Sequence, residues 1–282
     1  VDSETSDFSL ESENNDPIET KSISEPVKNN QEDYGISELI DLVANTFDPS
    51  ITIYKLSQLC KAIIKFNAFF KDASPKIPQS FIVEFAKDLV INIDTSEEPQ
   101  NVPKEIEDFL INKLNKNEDN LYFYEESPPL RTFIAKLFAC SIINLPVCVY
   151  GATGVGKTTS ARSFSCMRRN FSQQQIPFRM HSFHVGTRPS NFYGSITIKN
   201  GKVAFINGTL TECLKNGYTF IADEMNLSSL PTMKSLAPAL EQCIGESIYI
   251  PGVSEPIVIH SDFFFIACQN EVGTIGRNVL PS

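Results

Sequence analysis

The chain has 282 residues, 41% of them hydrophobic, and a formal net charge of −10. Residues 1–33 hold ten acidic side chains against two lysines, a net of −8, which leaves only −2 for the other 249 residues. A near-neutral remainder lacks the basic face of a nucleic-acid-binding protein, so we expect no direct binding to nucleic acid.

The seven cysteines are scattered and form no CxxC pair. Cys148 and Cys268 stand inside apolar, strand-like runs, which predicts buried and reduced thiols. The pattern indicates a reducing intracellular compartment, cytoplasmic or nuclear. The sequence contains no run of about 18 apolar residues, so no membrane span is predicted. The first residue is Val and no signal-peptide pattern follows it, so we expect an excerpt of a longer chain.

The chain begins with an acidic segment and continues with helices. Residues 1–33 are rich in Ser, Asn and acidic side chains, so they bury too little apolar surface to order and we expect disorder. Residues 34–127 predict a helical domain or linker, with apolar faces of helical period in 36–47 and 56–70. Further helices are predicted over 78–93 and after Pro103.

From residue 128 the pattern changes to helices that alternate with short apolar runs. After the helix 131–143 come "VCVY", "FRMHSFHV", "YTFIAD" and "FFFIAC". Strands that are buried on both faces have this composition, so an α/β fold with a parallel sheet is predicted. "SITIKNGKVAFI" predicts a hairpin that turns at Asn200-Gly201, and "ESIYIPGVSEPIVIH" predicts a second hairpin.

A phosphate-binding loop directly follows the first strand. "GATGVGKT" fits the P-loop pattern at every defined position, with a strand before it and a helix after it. Glycines let the backbone aim its N–H groups at phosphate oxygens, Lys157 supplies a positive charge, and Thr158 supplies a hydroxyl ligand for Mg²⁺. The residues predicted to contact the nucleotide are Gly151, Ala152, Thr153, Gly154, Val155, Gly156, Lys157, Thr158 and Thr159.

An acidic pair ends the third predicted strand. Adjacent carboxylates are costly at the end of a buried strand unless a cation is near, and a P-loop needs a magnesium partner there. We expect Asp223 to hold Mg²⁺ directly or through its water, and Glu224 to polarise an attacking water. Asn270 follows the fourth strand and is predicted to reach between the γ-phosphate and that water. The predicted catalytic residues are thus Glu224, Lys157 and Asn270.

These motifs together resemble the dynein-related branch of the AAA+ ATPases, which includes midasin and the von Willebrand-type and mysterin-like ATPases. The resemblance is continuous over about 128–282, from the P-loop through "FYGSITIKNGKVAFINGTLTECLKNGYTFIADEMNLSS" to "GRNVLPS". It implies a P-loop AAA+ large subdomain with strand order 5-1-4-3-2. In this chain the fifth strand and the helical lid are expected to be missing, and an all-α region precedes the core.

The resemblance also implies the activity and the partners. Family members are ATP-driven machines whose modules form rings, with ATP and Mg²⁺ at each interface, and they remodel proteins or ribonucleoprotein assemblies. Two positions depart from the family pattern, because Asn191 and Asn207 stand where relatives usually have acidic residues. Neither belongs to the phosphate chemistry. Arg188 and Arg277 are the nearby arginines that we nominate to stabilise negative charge at the nucleotide. We expect Arg277 to be a surface residue or a contact to a neighbour rather than the arginine finger.

The functional alternatives stay open at this point. The first is an active ATP hydrolase coupled to remodelling, weak or inactive as this fragment because the arginine finger normally comes from a neighbour. The second is a structural module in which bound nucleotide holds an interface and is hardly cleaved. The third is a protein-interaction adaptor whose working part is the helical region with its acidic tail. The intact Glu224 argues for the first.

Overall fold

The computed structural model describes most of the chain from residue 53 onward. The described residues are 53–74, 76–90, 102–114, 128–170, 172, 174–241, 245–250, 253 and 255–270. The predicted disorder of 1–33, the helix predicted over 36–47 and the segment 276–282 with Arg277 lie outside them.

Four helices precede the first strand in the described part of the chain. They are α1 (Ile53–Phe70), α2 (Gln79–Val90), α3 (Lys104–Lys113) and α4 (Pro128–Ile143). The face predicted for α1 is confirmed, since Leu59, Ile63, Phe66 and Phe70 are buried. Leu56, the fifth residue of that face, is half-buried. No helix within the described ranges is long and apolar enough to cross a membrane.

Strands and shorter helices alternate after α4. In chain order they are β1 (Val147–Gly151), α5 (Lys157–Met167), β2 (Phe178–Ser182), α6 (Pro189–Tyr193), β3 (Gly194–Lys199), β4 (Lys202–Asn207), α7 (Thr209–Asn216), β5 (Thr219–Asp223), a 3₁₀ turn (Met225–Leu227), α8 (Leu230–Lys234), α9 (Ala237–Glu241), β6 (Ser247–Ile248), β7 (Ile257–Val258) and β8 (Phe264–Asn270).

The central sheet is parallel and follows the order β1-β8-β5-β2. In terms of the four predicted strands this order is 1-4-3-2, so the expected α/β fold and the described part of the expected strand order are confirmed. Residues 219–222 of β5 and 264–268 of β8 are buried, because both strands have neighbours on either side and helices over their faces. The carboxyl ends of all four strands therefore lie along one edge of the sheet.

Aromatic contacts connect the helices to the sheet. The ring of Phe69 on α1 lies 5.7 Å from that of Phe138 on α4, and Phe138 lies 6.4 Å from Phe164 on α5. Phe164 in turn lies 6.0 Å from Phe264 on β8. Aromatic pairs at these distances add stability beyond the area they bury, so α4 packs directly on the P-loop helix α5, and α1 packs on α4.

Both predicted hairpins are present. Strands β3 and β4 pair antiparallel, and the turn between them has φ of 54° at Asn200 and 74° at Gly201. Two positive φ angles are typical of a type I′ turn, which explains why Asn-Gly occupies it. In the second hairpin, β6 and β7 pair antiparallel over two residues.

Two sequence-based expectations need correction. Cys148 is exposed rather than buried, because β1 is the edge strand of the described sheet, whereas Cys268 is buried as expected. The six cysteines within the described ranges are all free thiols. The second strand was predicted over 178–185, but β2 ends at Ser182. Beyond it the Phe183 N–H donates to the Asp223 carbonyl at 2.8 Å, and the His184 N–H donates to Thr187 Oγ1 at 2.9 Å.

Candidate functional site

The P-loop joins the end of β1 to the start of α5. Gly154 has φ of 86° and Gly156 has φ of 85°, a left-handed conformation that side chains with a Cβ rarely adopt. Gly156 is the N-cap of α5, and no side chain caps this helix end. Its first N–H groups therefore remain available to an anion, as the P-loop prediction requires.

Helix α5 is fixed to the sheet by a buried arginine at its C-terminal end. The Arg168 side chain donates from Nη1 to Thr219 Oγ1 at 3.1 Å and lies 5.3 Å from the ring centre of Phe264. Burial lowers the pKa of Arg168 to about 10, which leaves the guanidinium charged at neutral pH. Thr219 and Phe264 are the first residues of β5 and β8, so Arg168 fixes the helix behind the P-loop relative to the two strands that carry the other site residues.

The P-loop threonine contacts the first carboxylate of the acidic pair. Thr158 Oγ1 donates to Asp223 Oδ1 at 2.7 Å, although the two residues are 65 positions apart. Asp223 is the last residue of β5, so the end of this strand meets the start of α5 at the carboxyl edge of the sheet. A hydroxyl and a carboxylate oxygen side by side are hard oxygen ligands of the kind Mg²⁺ prefers.

The lysine and the asparagine are also in contact. Lys157 Nζ donates to Asn270 Oδ1 at 2.7 Å and to the carbonyl oxygens of Gly151 at 2.9 Å and Ala152 at 2.5 Å. The other half of the Asn270 amide donates from Nδ2 to Glu224 Oε1 at 3.3 Å. A single side chain therefore connects the predicted phosphate-binding cation with the predicted base.

Glu224 adopts an uncommon backbone conformation. Its φ is 52°, in the left-handed region, and it caps the 3₁₀ turn that follows β5. A non-glycine residue there costs about 1–3 kcal/mol, and such residues are frequent at functional sites. The turn directs the Glu224 side chain toward Asn270 and away from the line of β5. Asp223 and Glu224 therefore contact different residues, Thr158 and Asn270.

These side chains surround a cleft of about 280 Å³, close to the lower end of ligand-pocket volumes of roughly 300 Å³. Of the predicted residues, the cleft is lined by Thr153, Gly154, Gly156, Lys157, Thr158, Thr159, Asp223, Glu224 and Asn270. Three predicted nucleotide contacts are not among its lining residues. Gly151 and Ala152 instead offer carbonyl oxygens to Lys157, and the Val155 side chain is 63% exposed.

Cys268 and Gln269 line the cleft although neither was a predicted site residue. Burial, with the nearby Asp223 carboxylate, raises the pKa of Cys268 to about 12, so its sulfur stays a thiol and is a poor nucleophile. A sequence signal for both existed, because they directly precede Asn270 at the carboxyl end of β8. The apolar run before them favoured a core assignment instead.

The unusual asparagine after β2 has a structural role. Asn191 Oδ1 accepts a hydrogen bond from the Arg188 backbone N–H at 2.8 Å, at the start of α6. An aspartate, the residue type expected at this position, would accept the same bond. The departure from the family pattern therefore preserves this helix start. Asn207, the second departure, accepts at 3.4 Å from the exposed Lys215.

This role predicts a graded effect on stability. We expect Asn191→Asp to leave the free energy of unfolding within error of the parent, because the acceptor remains. Asn191→Ala should lower the free energy of unfolding by about 0.5–1 kcal/mol, as for one partly exposed hydrogen bond. Chemical denaturation of the three proteins checks this, and equal stabilities of Asn191→Ala and the parent would contradict the assigned cap.

Comparison with known families agrees with this geometry. Residues 146–282 match the family model of the AAA domain (dynein-related subfamily). This segment contains the P-loop, the acidic pair, Asn270 and all four strands of the parallel sheet. Residues 146–282 of this chain are thus similar to dynein-related AAA domains.

Two relatives that match this chain are midasins. The chain is 36% identical over 84 residues to the midasin of Dictyostelium discoideum, which covers 29% of this chain and 1% of that protein. It is 26% identical over 157 residues to the midasin of Giardia intestinalis, which covers 53% of this chain and 3% of that protein. The chain therefore spans only a few per cent of the length of these relatives.

Among solved structures, a candidate ATPase from Cytophaga hutchinsonii superposes with a TM-score of 0.42 at 18% identity. The match covers 63% of this chain and 49% of that one.

Proposed function

We propose that this chain binds ATP with Mg²⁺ and hydrolyses it, as one AAA+ module of a larger assembly. The observation that carries the proposal is the meeting of five side chains at one edge of the sheet. Lys157, Thr158, Asp223, Glu224 and Asn270 come from α5, β5, the turn after β5 and β8, and all line one cleft.

The residues present fit a magnesium nucleotide. Thr158 and Asp223 would hold the ion, since their oxygens are 2.7 Å apart and both are of the type that Mg²⁺ binds. When bound, the ion neutralises negative charge on the β- and γ-phosphate oxygens. The left-handed glycines and the uncapped start of α5 supply N–H groups to the same phosphates.

Lys157 and Asn270 are arranged to respond to the γ-phosphate. Within the described part of the chain, the ammonium of Lys157 donates to uncharged groups, namely two carbonyl oxygens and the Asn270 amide. A phosphate oxygen is a stronger acceptor than these, because both partners of the bond are then charged. When Lys157 turns to the phosphate it would release the Asn270 side chain. The Asn270 Oδ1 would then be free to orient a water molecule.

Glu224 is placed to take the proton in hydrolysis. Water oxygen attacks the γ-phosphorus, the bond from that phosphorus to the β–γ bridging oxygen breaks, and the products are ADP and inorganic phosphate. Glu224 accepts a proton from the attacking water while Asn270 holds that water in position. The contact between Asn270 Nδ2 and Glu224 Oε1 at 3.3 Å supports this pairing of base and orienting group.

An exposed apolar face supports interaction with protein neighbours. In the hairpin, Ile198 pairs with Val203 and Ile196 pairs with Phe205, which places all four side chains on one face. Ile196, Ile198 and Val203 are 59%, 74% and 75% exposed, and a clustered apolar surface of this kind is typical of a contact site. We assign to it contacts with neighbouring AAA+ modules or with the protein or ribonucleoprotein that is remodelled.

Steady-state phosphate release by the intact protein tests the proposal. With saturating Mg·ATP we expect turnover that depends on magnesium, and EDTA should abolish it. Tight ATP binding without phosphate release in the assembled protein would instead identify a structural nucleotide-binding module. Deletion of residues 1–120 tests the adaptor alternative, which predicts lost partner binding with unchanged ATP binding.

A further inference from the structure

A buried asparagine lies directly behind the cleft and is not one of its lining residues. Asn226 is fully buried in the 3₁₀ turn that follows β5. Its Nδ2 donates to the backbone carbonyl of Asn270 at 3.0 Å, and its Oδ1 has no hydrogen-bond partner among the described residues. One half of this amide is therefore engaged and the other half is buried unpaired.

The bond from Asn226 is made where the sheet loses a strand. The last residue of β5 to pair with β8 is Asp223, opposite Cys268. Strand β8 continues to Asn270, and there it pairs only with β1, Gly151 lying opposite Asn270. The chain after β5 turns away at Glu224, so the Asn226 side chain supplies from this turn a hydrogen bond to the unsupported end of β8.

The two halves of the Asn226 amide have opposite effects on stability. The hydrogen bond from Asn226 Nδ2 adds a modest amount to the stability of the fold. The buried Oδ1, which has no partner within the described ranges, lowers the stability by as much or more. A leucine of similar size would remove the unpaired Oδ1, but it would also leave the Asn270 carbonyl without this donor, so the two changes in stability oppose each other. The remaining consequence of the Asn226 amide is positional, because the residue that it holds is Asn270.

We infer that Asn226 is a positioning residue for hydrolysis. It fixes the main chain of Asn270, so that the Asn270 side chain can lie 2.7 Å from Lys157 and 3.3 Å from Glu224. It also ties the turn that carries Glu224 to the strand that carries Asn270, so the base and the water-orienting amide keep a constant separation. This inference rests on the proposed function.

The test is Asn226→Leu in the intact protein. We expect kcat to fall about 10- to 100-fold, since misplacement of a site group by about 1 Å has effects of this size. The affinity for a slowly hydrolysed ATP analogue should stay within about twofold, and the thermal midpoint should change little, because removal of the unpaired Oδ1 offsets loss of the donor to the Asn270 carbonyl. Asn216→Leu, at an exposed asparagine remote from the cleft, is the matched control and should keep the parent kcat.

A double-mutant cycle separates positioning from a general packing effect. If Asn226 acts only through Asn270, Asn226→Leu should lower kcat little further in an Asn270→Ala background. An unchanged kcat in the single variant, or an equal loss in both backgrounds, would overturn the inference.

Hydrogen exchange distinguishes this inference from the proposed function. Peptides that cover 264–270 should exchange faster in Asn226→Leu than in the parent, whereas peptides from β2 should not change. Absence of turnover in the parent would defeat the proposed function. Hydrogen exchange would still show whether Asn226 holds the end of β8 in place. Unchanged exchange there would overturn the inference.

Discussion

Replacing Glu224 with glutamine should leave ATP binding intact and lower the turnover number by about 10²- to 10⁴-fold, the range for removal of a general base. Glutamine keeps the shape of the side chain and can still accept from Asn270 Nδ2, so the contact at 3.3 Å can persist. What is lost is the ability to take a proton from water. The effect should therefore fall on kcat and not on nucleotide affinity.

Phosphate release and a binding titration on the same protein check this expectation. Glu255→Gln is a matched control, because Glu255 is an exposed glutamate that does not line the cleft. It removes the same charge and should retain the parent turnover. Persistence of turnover in Glu224→Gln would show that another group is the base and would contradict the assignment.

Replacing Lys157 with alanine should act on binding. The ammonium is the charged group nearest to Asn270 in the cleft, and it exchanges two carbonyl contacts for phosphate oxygens in the proposed complex. Loss of such a charged contact costs about 2–5 kcal/mol, or roughly 30- to several-thousand-fold in Kd. A calorimetric titration with Mg·ATP measures it directly.

Lys202→Ala is the control for the lysine. Lys202 is exposed at the tip of the β3–β4 hairpin and does not line the cleft, so Lys202→Ala removes one positive charge, as Lys157→Ala does, but away from the cleft. We expect its Kd for Mg·ATP to match the parent. An equal weakening in both variants would indicate a nonspecific charge effect, and an unchanged Kd in Lys157→Ala would contradict the phosphate-binding role.

Local patterns predicted the elements of the fold well. The glycine-rich loop follows from its spacing, and the Asn200-Gly201 turn follows from the two positive φ angles that it needs. The apolar runs at 218–223 and 263–268 predicted strands, because a strand that is buried on both faces is apolar along its length. The order of these strands came from the family resemblance, since composition does not specify which strands are neighbours.

Long-range contacts could not be predicted from local pattern. Lys157 and Asn270 are 113 residues apart, and their contact depends on the register of β1 against β8. The exposure of Cys148 depends on which strand is at the edge, which an apolar run does not reveal. Asn226 was overlooked for a related reason, because an asparagine after a strand usually marks only a turn.

The central claim is that the P-loop amides and an ion held by Thr158 and Asp223 share the charge of a triphosphate. A structure of the protein with Mg²⁺ and a slowly hydrolysed ATP analogue tests it most directly. We predict the phosphates against residues 151–158, the ion beside Asp223, and the Lys157 ammonium moved from its carbonyl partners to the γ-phosphate. A nucleotide bound elsewhere, or an ion with no contact to Asp223 or its water shell, would contradict the account.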